Sequence, residues 1–450
     1  MNPKNKIFGN FPFGFLGRGS LFYILGTMRS VRLLTAFWIF AFAAEVFSAA
    51  PSVTNCADGR RVANLRFTGL ADTDPRVVER ELFHAPGAKF SESEFLAEKS
   101  RLESLDIFSD VSLVCSETAD GLDLEYRFTE LLHWIPSPAG KKTDQDGWML
   151  GAALAHLNVL GEDIRIEAQY RTSIDPLFDS KEFAIYASSP WLGNLPVSWN
   201  FEFLRTDSWD DLRGFEDRSW FVHLELDAKL WRNVYLVWAP SYRYVQGFGS
   251  VPDLGVGAIL ENRDSKTDPR RGAFEEFRVT RYGVFDSSVE NFVEYLWDNR
   301  FYFSRGRWIT GASSLVRFRP GTQMFFDRLH QGGANTLRGF SPDSSVHGRH
   351  EAIWNIEERF VLLERRPFSV LGANLFFGVQ LVAGVEGSFL WDSRMPGWEE
   401  YRESVYGGIH ILIPALDRLR IEAGYSPDGG GVKISVGLYD KNVSLRWRSR

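Results

Sequence analysis

From about Trp148 to the carboxy terminus, apolar and polar residues alternate in one short segment after another. Ile164, Ile166, Ala168 and Tyr170 alternate with Asp163, Arg165, Glu167 and Gln169, and Val222, Leu224, Leu226, Ala228 and Leu230 with His223, Glu225, Asp227 and Lys229. Leu419, Ile421, Ala423 and Tyr425 do the same with Arg420, Glu422 and Gly424. A period of two marks strands with one wet and one dry face. In a soluble sandwich the dry face is a core; in a membrane barrel it meets lipid. Roughly 300 residues, at about ten per spanning strand plus turns, accommodate about 16 strands. An open sheet of that size leaves hazardous edges, so closure is favoured.

Ahead of the hairpins the pattern is different. Val62 to Phe67 alternates as a strand, and Asp72-Thr73-Asp74-Pro75 turns into a helix with Pro75 at its first position. Val77, Val78, Leu82 and Phe83 are its apolar stripe, and Pro86-Gly87 ends it. Ser91 or Ser93 caps a second helix that carries Phe95, Leu96, Leu102 and Leu105. Two strands follow, Asp110 to Ser116 and Leu122 to Phe128, joined at Asp120-Gly121. The expected fold is therefore mainly β: a transmembrane antiparallel barrel over 145–450, preceded at 57–131 by a small α+β domain of β-α-α-β-β order.

Composition sharpens the choice between core and lipid. The 450 residues include 15 Trp and 37 Phe, yet 24% are charged. Abundant aromatics without long apolar runs suit a lipid-facing barrel. Trp199, Phe201 and Phe203, Trp231, Tyr235, Trp238, Tyr242 and Tyr244, and Phe301 and Tyr302 fall near segment ends, where interfacial girdles form. A net charge of −7 argues against a general nucleic-acid binder. Residues 28–50 read as a secretory signal: Arg29 and Arg32, an apolar run from Leu33 to Ala44, then Ser48, Ala49 and Ala50. An anchor helix is the competing reading, and 1–27 lie upstream of a second plausible start at Met28. Cys56 and Cys115 are the two cysteines. In an oxidising compartment they either join, at a gain of about 4 kcal/mol in the chain-entropy model, or stay separate thiols.

The stretch Gln331 to Phe340, Q-G-G-A-N-T-L-R-G-F, stands out between two alternating segments. Gly332 and Gly333 allow a tight loop, and Leu337, Arg338, Gly339 and Phe340 put a permanent cation among apolar neighbours. This loop resembles the G-G…[VIL]-R-G-[FY] loop of the BamA/TamA-type superfamily of outer-membrane assembly and secretion proteins, the bacterial surface antigens. Asp264, Pro269 and Gly272 resemble its D-x-x-x-x-P-x-x-G hairpin, Glu357 and Arg359 its E-x-R strand, and Leu157 to Gly161 its first hairpin. The small domain resembles a POTRA domain through F-T-G, V-V-E-R-E-L, G-A-K-F and L-E-S-L-D-I-F-S-D-V.

The resemblance implies a barrel in a bacterial outer membrane with the POTRA-like domain in the periplasm. It implies a loop folded into the lumen, where Arg338 meets an acid: Asp392 first, Glu357 second. By bringing the start of the first strand near the end of the second, it also implies a Cys56–Cys115 disulfide. The implied partners are unfolded outer-membrane or secreted protein clients, outer-membrane lipids and accessory lipoproteins, with no nucleic acid. The implied activity is assembly and insertion of outer-membrane proteins, or alternatively a protein-translocating pore of the two-partner secretion type. No enzyme, cofactor or metal is expected: G-x-S-x-G, H-E-x-x-H, a P-loop and G-x-G-x-x-G before a helix are absent. Glu275-Glu276 and Glu399-Glu400 read as solvated acids, and His330, His347 and His350 as polar loop histidines.

Overall fold

A computed structural model describes residues 53–54, 56–143, 147–174, 179–210, 214–266, 268–333, 336–341, 347–370, 373–392, 395–414 and 418–437. The expected signal segment and the terminal R-W-R-S-R lie outside the described residues. No described helix is long and apolar enough to cross a bilayer.

The small domain is a four-stranded sheet with two helices. Its strands are Val53–Thr54 (β1), Val62–Thr68 (β2), Phe108–Thr118 (β3) and Gly121–Glu130 (β4), in the order β1-β3-β4-β2. Asp74 caps the first helix, Pro75–Glu79, with Pro75 in its first turn. That helix stops well before Leu82 and Phe83, and Phe83 is half exposed. The second helix, Glu92–Glu103, starts at Ser91, with Phe95 and Leu102 buried and Leu96 half exposed. The first helix is short because the chain after it is held by Glu98. This buried carboxylate accepts from Phe83 N (2.5 Å), His84 N (2.7 Å), His84 Nδ1 (2.9 Å) and the Tyr126 hydroxyl (2.7 Å).

Burial pushes Glu98 upward, but the bonds from His84 and Tyr126 more than offset it and hold the carboxyl below its usual range. Its folded pKa lies below the unfolded one, so its contribution is present above about pH 4.3 and is lost as pH falls through the depressed value. Glu98→Ala strands these donors and is expected to cost the domain about 3 kcal/mol. Faster hydrogen exchange at domain amides, with barrel amides unchanged, checks this.

The two cysteines form a disulfide with their Cα atoms 5.1 Å apart. The route differs from the expected one. β2 pairs with β4, and it is β1, ahead of it, that lies along β3 and carries Cys56 to Cys115.

Among the described residues seventeen strands close into a barrel, one of them only two residues long. They are Trp134–Thr143 (β5), Gly147–Val159 (β6), Ile164–Ser173 (β7), Lys181–Ser189 (β8), Val197–Asp210 (β9), Phe215–Trp231 (β10), Val234–Val245 (β11) and Gly249–Glu261 (β12). Gly272–Tyr282 (β13), Asn291–Arg305 (β14), Trp308–Phe318 (β15) and the short Gly321–Thr322 (β16) follow. A long loop, crossed by the small ladder Leu329–His330 (β17) and His347–Gly348 (β18), leads to His350–Val370 (β19). Ala373–Trp391 (β20), Tyr401–Leu412 (β21), Arg418–Ser426 (β22) and Gly431–Gly437 (β23) return the sheet to β5. β5 therefore precedes residue 145, where the change of pattern placed the start of the barrel. Its W-I-P-S-P-A-G-K-K-T lacks the alternating charges that mark the others.

The inside and outside of this barrel are inverted relative to a soluble fold. Glu167, Arg171, Glu225, Asp227, Arg420 and Glu422 are buried, while their apolar neighbours Ile166, Tyr170, Leu230, Ile421 and Tyr425 are exposed. A closed sheet with apolar residues outside and charges in its bore is a transmembrane barrel. Trp231, Trp238 and Phe301 are on the exposed face as expected, but Tyr302 faces inward, its ring 5.7 Å from the Arg359 guanidinium carbon.

The small domain sits against the turns at one end of the barrel. Asp74 N donates to Gly161 O (3.0 Å), and Arg76 pairs with Glu162 (2.8 Å). Ser100 Oγ donates to Asp264 O (2.9 Å). The long β19–β20 hairpin reaches the domain from the other side. Arg365 donates to Glu103 O (3.0 Å) at the end of the second helix and to Phe108 O (2.6 Å), a cation set against a helix carboxy terminus. Phe376 and Leu412 of the barrel share one apolar cluster with the domain core.

Candidate functional site in the barrel lumen

The loop between β16 and β19 folds back onto the inner wall formed by β20, β21 and β22. Gly333, at φ 83°, donates to Phe340 O (3.0 Å), and Thr336 Oγ1 bonds Gly332 at both N (2.7 Å) and O (2.8 Å), which closes the turn. Gln331 ties the loop to β20 through Ser388 Oγ (2.7 Å) and Phe389 O (3.2 Å). Gly339 lies against the wall itself: a Cβ there would stand 2.7 Å from Ser404 Cβ and from Ser426 N. Glycine is needed for that approach rather than for its torsion. Leu337 and Phe340 are buried beside it.

Arg338 points into the wall and is 4% exposed. Its guanidinium pairs with Glu386 Oε2 (2.5 Å) and Glu422 Oε2 (2.8 Å), and its backbone N–H donates to Glu386 Oε1. The guanidinium carbon lies 3.7 Å from the centre of the Tyr406 ring, a stacking position. The expected partners are thus corrected. Asp392 is at the rim, paired with Arg328 (2.8 Å), and Glu357 accepts instead from the Tyr406 hydroxyl (2.9 Å). Glu386 is on the strand that leads to Asp392, but six residues deeper, where a side chain from a folded-in loop arrives. Glu386 could have been found as the lone acid in the apolar stretch V-A-G-V-E-G, and Glu422 as the one acid among the alternating polar positions of Leu419–Tyr425.

A second cluster lies toward the small domain. In the hairpin after β12, Asp264 Oδ1 accepts from the N–H groups of Arg270 (2.9 Å) and Arg271 (3.1 Å), and Gly272 supplies a φ of 101°. This geometry turns Asp268 into the bore. There it accepts from Arg359 Nη1 (2.9 Å), Arg418 Nη2 (3.2 Å) and Gln380 Nε2 (3.0 Å), while Arg359 Nη2 donates to Pro269 O (2.5 Å). The hairpin motif and the E-x-R strand therefore meet, with Asp268, Gln380 and Arg418 as participants the sequence reading missed. Glu357 joins the two clusters, contacting Arg359 (3.4 Å) on one side and Tyr406 on the other.

Glu357, His410 and Glu422 are buried, with possible ligand atoms within 4.8 Å of one another. His410 Nε2 is 2.8 Å from Glu422 Oε1, and Arg338 holds the other oxygen of that carboxylate. With Arg338 on Glu422 and Arg359 on Glu357, the cations already present oppose a divalent ion. The group reads as part of an ion-pair network running from loop to hairpin. Across the bore, Glu202, His223, Asp253, Glu276, Arg278 and Glu294 line a cavity.

No family model matches the chain, and no curated protein matches it. Solved structures do. CdiB from Escherichia coli is 17% identical over 83% of this chain and 75% of that one, with a TM-score of 0.56. CdiB from Acinetobacter baumannii is 13% identical over 84% and 73%, with a TM-score of 0.51. BamA from Haemophilus ducreyi lacking POTRA domains 1–3 overlays more loosely, at 15% identity over 84% and 83% with a TM-score of 0.47. The chain has the fold of the CdiB barrels.

Proposed function

We propose that the protein assembles or inserts outer-membrane proteins, with the small domain meeting unfolded clients in the periplasm and the barrel opening sideways between β23 and β5. The observation that carries this reading is the make-up of that seam. Leu157 N donates to His133 O (3.0 Å), so residues 133 and 157 form a directly bonded pair of the β5–β6 ladder. Along the unbroken register, Pro136 opposite Leu154 and Pro138 opposite Ala152 then fall at non-bonded positions. The nitrogens of both prolines face β23 and have no proton to give. Two missing ladder bonds weaken the seam by about 2 kcal/mol. A loop pinned in the bore further favours a sideways route over passage through the lumen.

Cysteine pairs stepped along Ile135–Gly140 of β5 against Val432–Ser435 of β23 test the reading. Oxidation is expected to stop client insertion, and reduction to restore it; full insertion with the seam locked would overturn it. Pro136→Val with Pro138→Val returns two donors and is expected to slow insertion about thirtyfold if both bonds must break, measured as the rate at which a client barrel becomes heat-modifiable.

The alternative is a pore that passes secreted proteins through the lumen, favoured by the cavity across the bore from the loop. Planar-bilayer conductance separates the two. A large open state that persists with the seam locked supports the pore, and a small conductance supports lateral insertion.

A further inference from the structure

The lumen loop leaves the wall through a neck of two residue pairs. Leu329 of β17 stands opposite Gly348 of β18, and His330 stands opposite His347. Residues 331–346, Arg338 among them, hang between these two strands. Two pairs make a marginal clasp, because even a longer two-stranded ribbon is barely stable in water. The ladder lies beside the end of β20, where Arg349 N donates to Trp391 O (3.0 Å).

The two faces of the ladder differ. Leu329 and Gly348 are buried, whereas His330 and His347 are exposed. Residues directly opposite in an antiparallel pair put their side chains on one face, with Cβ atoms about 5 Å apart. Two imidazoles so placed can each turn a ring nitrogen to one ion, at about 2.0–2.1 Å. Arg328 and Arg349, two residues away along each strand, share that face, and both are engaged. Arg328 pairs with Asp392 (2.8 Å), and Arg349 Nη1 donates to Gly321 O (3.3 Å). His350 is not a third ligand: it is buried, accepts from Arg319 N (2.9 Å) and stacks on Phe318.

We propose that His330 and His347 form a two-histidine site for a divalent transition-metal ion, water filling its other positions, and that the ion fastens the neck of the lumen loop. Imidazole ligands select copper, nickel or zinc over magnesium and calcium, and copper(II) binds tightest. An ion held by both histidines ties the two ends of the loop together, so the finger that carries Arg338 leaves the bore less readily. Protons compete for the same nitrogens, so the ion is released as pH falls below about 6.5. The proposal stands apart from the choice between insertion and secretion, since it concerns the loop alone.

Two measurements on the full chain in nanodiscs test it. Copper(II) added at one equivalent is expected to show two imidazole nitrogens by pulsed electron paramagnetic resonance. His330→Gln and His347→Gln are each expected to remove one of them. Both histidines are exposed, so glutamine there leaves the fold in place. Zinc(II) at about a hundred times its dissociation constant is expected to slow hydrogen exchange about a hundredfold at the ladder amides of 329–330 and 347–348 in the wild-type chain, and not in His330→Gln. Copper(II) held by fewer than two imidazoles in the wild-type chain, a two-nitrogen signal that survives either variant, or ladder amides that ignore zinc would overturn the proposal.

Discussion

Arg338→Ala is expected to release the lumen loop and to destabilise the barrel by about 3–5 kcal/mol, the cost of leaving buried acids without their cation. Glu386 and Glu422 are each buried to 1%, and both rely on the same guanidinium. Arg338→Lys should recover only part of the loss, because an ammonium is a point donor that cannot fork between two carboxylates and stack on Tyr406. Glu386→Gln with Glu422→Gln in the Arg338→Ala background should recover more, since the repulsion goes with the charges. The temperature at which the folded barrel loses its compact mobility on semi-native gels reads all three. Equal melting of Arg338→Ala and the wild type would show that the pairing contributes nothing.

The other large effect is expected at Asp268, although the sequence motif points to its neighbours. Asp268→Ala leaves Arg359, which is fully buried, and Arg418, 8% exposed, facing each other without the carboxylate they share, with Glu357 still on Arg359 at 3.4 Å. The expected cost is again about 3–5 kcal/mol. Its location differs, because the hairpin that carries Asp268 also carries Asp264, whose carbonyl accepts from Ser100 of the small domain. Losing the anchor in the bore should therefore loosen the domain contact. Hydrogen exchange is expected to quicken over 262–271 and at the end of the second helix, while the Arg338 loop stays protected. Asp268→Asn keeps the shape and one acceptor and should fall between. Quickened exchange confined to the lumen strands, with the helix unaffected, would separate the hairpin from the docking of the domain.

The alternation of Val222–Leu230 and Leu419–Tyr425 was enough to read strands, while closure came from the number of strands and the charged bore from the abundance of aromatics, since a soluble sandwich shares the period of two. The loop was legible too, since an arginine between Leu337 and Phe340 on a glycine turn needs an acid. Which acid was not. The partner depends on how far the loop descends and on the stagger of the strands, and neither is local in sequence; position along the chain favoured Asp392, and depth selected Glu386 and Glu422. β5 was hidden by the prolines that bear on the seam. Leu82 and Phe83 continued a helical stripe, but Glu98, fifteen residues away, takes the backbone there and ends the helix. The disulfide partners were placed together for a related but different reason, because a two-residue strand contributes almost no pattern of its own.

The place of the loop inside the bore, with Arg338 engaged, is reported directly by the accessibility of one side chain. Leu337→Cys, at a position 1% exposed, is offered to a bulky membrane-impermeant maleimide from outside the barrel, with His347→Cys on the exposed part of the same loop as the reference. The expected result is rapid labelling at 347, none at 337, and labelling at 337 once Glu386→Gln and Glu422→Gln are added. Equal labelling at 337 and 347 in the otherwise unaltered, folded barrel would contradict it.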